Sequence, residues 1–278
     1  MLRSCGWLEQ HGYEVTYVEP DSRGFIHVSD VESAIRDDTI LVSIMFANNE
    51  IGTIQPIQEI AEVCKKHQVL FHTDAVQAYC HVPINVRELD VDFLTTSAHK
   101  FHGPNGVGFA YVKDPSVMLP LIHGGQQEHG LRGGTENVPG IVGMGVAAEV
   151  MHQDLTSHIN YMGSLRDHFI ERALNEIKGC SLNGSLVSRL CNNISLSFDG
   201  IHAEEALVLL DMGGISCSSG SACNSEDNTP SHVMMALGHG EEYARSTLRF
   251  TISAFTTLEE IDYAITSLKT IVSDLRGC

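Results

Sequence analysis

The strongest constraint on the fold is a rhythm of short apolar runs separated by helical stripes. Residues 40–46 (Ile-Leu-Val-Ser-Ile-Met-Phe) are almost continuously apolar, as expected of a parallel strand buried on both faces. Pro56 then opens a helix at a position that tolerates it, and Ile57, Ile60, Ala61 and Cys64 supply its buried stripe at i, i+3, i+4 and i+7. Residues 69–73 (Val-Leu-Phe-His-Thr) and 91–96 (Val-Asp-Phe-Leu-Thr-Thr) read as further short strands, and 106–112 as a glycine-rich one. Strand, helix and strand joined by short loops predict an α/β fold with a mostly parallel sheet and flanking helices. In such sheets ligand groups collect in the loops at the carboxyl ends of the strands.

The flanking segments extend this pattern. Residues 7–19 read as a helix end, a stop at Gly12 and an alternating strand, and 30–37 as a helix with Asp30 as N-cap. Past the loop 126–137, helices are expected over about 139–151 and 153–177. The composition then shifts toward a smaller α+β unit. Residues 192–198 alternate like a half-buried strand, a helix follows at 203–211, and 247–253 alternate again. Thr257 with Glu260 three residues on forms a capping box for a last helix, striped by Ile261, Ala264, Ile265, Leu268, Ile271, Val272 and Leu275. Two domains are expected, a large one over 1–150 and a small one over 151–278.

The formal net charge of −18 argues against a nucleic-acid or anionic-membrane partner, since both need a basic face. The apolar stretch around 140–151 is too short and glycine-rich to cross a bilayer. Met1–Trp7 lacks the apolar segment of a secretory signal. The eight cysteines include no Cys-x-x-Cys pair, so neither a metal site nor a thioredoxin-type motif is indicated. A reducing, cytoplasmic setting is the expectation.

Four strand-end loops carry groups suited to chemistry. Ser97-Ala98-His99-Lys100 delivers a lysine beside two hydrogen-bonding side chains, with glycines at 103, 106 and 108 leaving room for a ligand. A lysine at a strand end beside an apolar pocket can serve as an amine nucleophile, or it can be a solvated loop lysine. Asp74, with Gln77 three residues on, is either the acidic partner of a bound pyridine ring or the N-cap of a following helix. Asn49 lies in the polar loop 47–52 at the carboxyl end of the first strand. In the second unit, Ser-Ser-Gly-Ser-Ala-Cys places Cys223 in a loop of small residues, as a usable thiol or as a cysteine packed under a turn. Arg249, in an alternating strand, can grip a carboxylate or join a surface ion pair.

Taken together and in order, Asn-Asn-Glu-Ile-Gly, His-Thr-Asp-Ala-Val-Gln, Ser-Ala-His-Lys-Phe-His-Gly-Pro, Arg-Gly-Gly-Thr-Glu-Asn and Ser-Ser-Gly-Ser-Ala-Cys resemble the cysteine desulfurase family of the NifS and IscS type. These are class V aminotransferase-like enzymes of pyridoxal 5′-phosphate (PLP) fold type I. The resemblance covers essentially the whole chain. It implies that Lys100 holds PLP as a Schiff base and moves the proton at the substrate Cα. Asp74 would pair with the ring nitrogen and Gln77 with the phenolic oxygen. Ser97 and His99 would bind the phosphate, with Thr135 reaching the phosphate of a partner subunit in a homodimer. Asn49, also near the cofactor, and Arg249 would hold the carboxylate of L-cysteine. Cys223 would take the sulfur as a persulfide, release L-alanine, and pass the sulfur to an acceptor or scaffold protein in iron–sulfur assembly or thiolation.

Two further readings stay open: a selenocysteine lyase of the same superfamily, and a non-catalytic truncated paralogue acting as a binding partner. Family members carry, ahead of the region matching Trp7–Val15, a dimer-forming segment. It has an Ala-Thr-Glu phosphate loop and a histidine that stacks on the PLP ring. Neither is found here, so an N-terminally truncated chain with weak PLP retention is the expectation.

Overall fold

The computed structural model describes residues 2–220 and 229–277. The first sheet comprises β1 (Leu41–Met45), β2 (Leu70–Asp74), β3 (Phe93–Thr95) and β4 (Ala110–Val112), in that spatial order. β1–β2 and β2–β3 pair in parallel, whereas β4 runs antiparallel to β3. The expected α/β architecture is present, with one antiparallel strand on a parallel sheet. On one face Val42, Ile44, Phe71, Leu94 and Tyr111 pack against Val31 of α2 (Val28–Ala34) and against α3 (Ile57–Lys66). The stripe Ile57, Ile60, Ala61 and Cys64 is the buried face of α3, as its spacing required.

Several local expectations need correction. β1 is an edge of the described sheet, so it is half-buried instead of sealed on both faces, and Leu41 is exposed. Residues 13–19 form no strand, since no neighbour in the described structure pairs with them. The helix α1 before them covers Leu2–Gln10, and the chain turns at Gly12 with φ +86. α2 starts before Asp30, with His27 at the N-cap position. Asp30 falls in the first turn, where its charge still complements the helix dipole.

The second sheet orders β5 (Cys180–Leu182), β6 (Asn193–Phe198), β8 (Thr247–Thr251) and β7 (Ser218–Ser219), all antiparallel. Ile194, Leu196 and Phe198 pack into a core with α6 (Leu155–Glu176), α7 (Ala203–Met212) and α10 (Leu258–Leu275). The alternating pattern of β6 predicts one wet face, yet every one of its residues is buried. Its polar positions are satisfied internally. Ser197 bonds Thr247 hydroxyl to hydroxyl at 2.7 Å and accepts from the Asn183 amide at 2.9 Å. Thr257 and Glu260 close the capping box on α10 as expected.

The two sheets meet through a polar seam. Ile54 N–H donates to the Ser188 carbonyl and Leu190 N–H to the Gly52 carbonyl, both at 2.9 Å. Arg189 is only 4% exposed and donates to the carbonyls of Ser185 and Asn183 and, at 2.8 Å, to Asn193 Oδ1. Burial pushes its guanidinium down to about 10. Ile51 joins Val233, Met234, Leu237 and Ala244, from the stretch holding α8 (His232–Ala236) and α9 (Glu241–Arg245), in a small apolar cluster. The loop after β1 is therefore packed into the second half of the chain. α5 (Val138–Gln153) closes another small core, with Met151 against Cys80, Ala98 and Phe101.

Candidate active site

The expected groups fall at the carboxyl edge of the first sheet, as parallel strands require. Asp74 is the last residue of β2, in register with Met45 on one side and Thr95 on the other. One of its oxygens accepts the Val76 N–H at 3.0 Å. The segment it caps is a turn and not the helix a capping aspartate would start. Its second oxygen remains available, so a cap and a ring-nitrogen partner are compatible roles. Gln77 lies in the same turn, half-buried.

Lys100 ends a 3-10 turn, Ala98–Lys100, that directly follows β3. It is half-buried, and no hydrogen bond or ion pair engages its amine among the described residues. Ser97 enters the turn in extended conformation, and its hydroxyl is 2.8 Å from His99 Nδ1. Two of the three nearby glycines, Gly103 and Gly108, serve a different purpose from the one expected, whereas Gly106 stands in open space. A Cβ on Gly108 would lie 2.4 Å from the Thr96 carbonyl oxygen, and one on Gly103 would lie 2.8 Å from Ala98 Cβ. These glycines let backbone pack on backbone and so hold the lysine turn in place. They do not open space for a ligand.

Asn49 and Arg249 come from opposite halves of the chain and meet. The Arg249 guanidinium donates to the Asn49 main-chain carbonyl at 2.6 Å. β8 presents Arg249 between Ser195 of β6 and Ser218 of β7. Thr135 stands apart, exposed in the loop before α5 and unbonded to the other candidates. Cys223 lies outside the described residues. Burial pushes the thiols of Cys64, Cys191 and Cys217 up to about 11 and those of Cys80 and Cys180 up to about 12. Those five are poor nucleophiles at neutral pH, because the thiolate is the reactive form.

Two features of the site escaped the sequence reading. His72 shares a sheet face with Asp74, one side-chain step earlier. It bonds the Ser43 hydroxyl at 2.7 Å and the Thr95 hydroxyl at 3.1 Å, making a polar row across three strands. Burial lowers its pKa and the Asp74 carboxylate pulls it back up. A histidine inside the apolar run 69–73 was the available signal. The second feature is Glu50, next to Asn49 and 1% exposed. Its signal was an acidic residue in an otherwise neutral motif.

The aminotransferase class-V family matches residues 6–264. A curated relative from Dictyoglomus turgidum, a cysteine desulfurase IscS, is 46% identical over 276 residues, covering 99% of this chain and 70% of its own length. The chain belongs to the cysteine desulfurase family of class-V aminotransferases. A cysteine desulfurase IscS from Methanosarcina thermophila is 47% identical, covering 100% of this chain and 68% of its own length. Among solved structures, a NifS-like protein superposes with a TM-score of 0.90 at 38% identity, covering 98% of this chain and 72% of that one. SspA in complex with cysteine superposes at 0.76, also with 38% identity, covering 92% of this chain and 71% of that one.

The family's cofactor is PLP, and the donor set of this cysteine desulfurase edge fits it. The fit rests on an unengaged half-buried amine at Lys100 and a carboxylate with one free oxygen at Asp74. A hydroxyl–imidazole pair at Ser97 and His99 completes the set.

Proposed function

We propose that this protein is a PLP-dependent cysteine desulfurase that removes sulfur from L-cysteine, releases L-alanine and carries the sulfur on Cys223. The observation that carries the proposal is the bond between Arg249 and the Asn49 carbonyl. The contact supports the reading, because it sets a cation from the second sheet against the loop that follows β1. Membership in the cysteine desulfurase family supports the substrate.

When bound, PLP supplies an electron-accepting ring conjugated to the substrate Cα. Asp74 would pair with the ring nitrogen and Gln77 with the phenolic oxygen. Ser97 and His99 would hold the phosphate, and the half-buried Lys100 amine would move the proton at Cα. Asn49 and Arg249 would orient the amino acid through its carboxylate. The Cys223 thiolate then forms a bond to the substrate sulfur as the Cβ–S bond breaks. This leaves a persulfide on Cys223, and the carbon skeleton departs as alanine.

The remaining assignments belong to the same proposal. Thr135, exposed and unengaged, would serve the phosphate of a second subunit in a homodimer. An acceptor or scaffold protein would discharge the persulfide, in iron–sulfur assembly or thiolation. The setting would be the cytoplasm; no helix among the described residues is long and apolar enough to cross a membrane. The division into units 1–150 and 151–278 belongs to the same proposal; each unit would carry one of the two sheets.

The test is stoichiometric. Protein loaded with PLP is given L-cysteine and a reductant, and alanine and sulfide are measured. Equal yields are expected from wild type, with both abolished in Lys100→Ala and sulfide release abolished in Cys223→Ser. Undiminished sulfide release from Cys223→Ser would sink the assignment of the thiol.

A further inference from the structure

We propose that His72 is a positioning residue that acts on the cofactor ring through Asp74. An imidazolium at His72 and a protonated ring nitrogen compete for one carboxylate, so a proton on His72 weakens cofactor binding and bound cofactor expels that proton. This rests on the reading of Asp74 as the partner of the ring nitrogen.

The sheet fixes where the imidazole stands. His72 and Asp74 share one face of β2, because side chains alternate along a strand. On β1 the residue in register with His72 is Ser43, whose hydroxyl lies 2.7 Å from Nδ1. On β3 the register partner of His72 is Phe93, yet Nε2 reaches past it to the Thr95 hydroxyl at 3.1 Å. Thr95 is the register partner of Asp74. The ring is therefore drawn toward the carboxyl edge, into the row where Asp74 stands. β1 and β3 meet it with uncharged hydroxyls, and among the described residues Asp74 is the charged group that acts on it.

These partners let the ring change charge without losing a bond. A hydroxyl can donate or accept, so Ser43 and Thr95 satisfy a neutral imidazole in either tautomer and both accept from an imidazolium. Its charge is then set by two opposed influences. Burial disfavours the cation and is the larger, while the Asp74 carboxylate favours it. One Asp74 oxygen accepts the Val76 N–H, which leaves the other for a cation. With a protonated ring nitrogen at that oxygen, the carboxylate no longer favours the His72 proton, and a like charge is added. The coupling is reciprocal: a fall of about one unit in the His72 pKa on cofactor binding equals about a tenfold loss of cofactor affinity when His72 is charged. The His72 pKa lies below the ordinary 6.5, so at neutral pH the ring nitrogen has Asp74 to itself. The penalty enters as pH falls through the His72 titration.

The experiment follows the His72 imidazole by NMR in protein labelled at histidine, the signal assigned through its own backbone, with and without PLP. Cofactor affinity is measured alongside by equilibrium dialysis. Asp74→Asn should lower the His72 titration point by about one unit in the free protein, and loading wild type with PLP should lower it about as far. Affinity is then compared at about pH 7.5 and at about one unit below the free protein's titration point. It should fall about fivefold more in wild type than in His72→Gln, whose amide keeps both hydroxyl contacts and takes up no proton. Changes with pH in the cofactor's own groups and in His81 are common to both proteins. A titration point unmoved in Asp74→Asn or in loaded wild type overturns the proposal, as does a His72→Gln affinity that falls with pH as steeply as wild type. If His72→Gln does not fold, the two NMR shifts decide it. Asp74→Asn binding PLP as tightly as wild type would instead overturn the reading of Asp74 on which the proposal rests.

Discussion

Mild acid should destabilise this protein through one histidine beside the cofactor edge. His81 closes the turn that begins at Asp74 and is 5% exposed, with Nδ1 buried and unpartnered among the described residues. Burial lowers its pKa to about 4 from the ordinary 6.5, with the His102 charge adding to the effect and nearby main-chain carbonyls opposing it. The folded protein thus keeps His81 neutral, while the unfolded chain takes up a proton below about pH 6.5. The unfolded state binds more protons, so the stability from this group is present above that pH and is lost as pH falls toward 4. At about pH 5 the two pKa values give a loss of about 2 kcal/mol, on the order of 4 °C in Tm for a chain of this size. Calorimetry at about pH 7.5 and pH 5 on wild type and His81→Leu isolates the group, because the carboxylate background is common to both. Wild type should lose about 2 kcal/mol more than the variant over that interval. Parallel losses would show that His81 is not held neutral by burial. Gln77 and Asp74 share this turn, so cofactor affinity should weaken over the same pH window.

Asp74→Asn should keep the fold, since an amide oxygen can still accept the Val76 N–H, yet lower kcat about 100-fold if the charge is the proposed partner of the ring nitrogen; circular dichroism and steady-state rates check both halves. Gly52→Ala should cost about 2–4 kcal/mol in denaturant unfolding. The backbone there has φ +72, and the new Cβ would lie 2.5 Å from Asn193 Oδ1, which Arg189 already holds. A wild-type unfolding midpoint would refute that account.

The strand-edge placement of the proposed site residues was legible in the sequence. Lys100, Asp74 and Asn49 stand in the segments that follow short apolar runs, and parallel strands place such segments on one edge. Glu50 and Ser231 were not legible, because 181 positions separate two groups that only folding brings together. His72 was hidden by its own strand: alternation announces which residues share a face, but not that Ser43, its register partner on β1, and Thr95, opposite Asp74 on β3, both reach it. The purpose of Gly103 and Gly108 was also hidden, since a small residue near a candidate lysine makes room equally well for a ligand or for backbone.

The sequence alone determined the periodicities: the buried stripe of α3, the capping box of α10 and the chemical types at the strand ends. These are local, set by side chains a few residues apart. Tertiary structure decided what lies on either side of each element. It made β4 antiparallel, left β1 at an edge, and buried β6 on both faces despite its alternating pattern. It also brought Arg249 to the Asn49 carbonyl and Ser231 to Glu50. Those outcomes depend on packing and hydrogen bonds between distant segments. No local pattern encodes the partner, only the capacity to bond one.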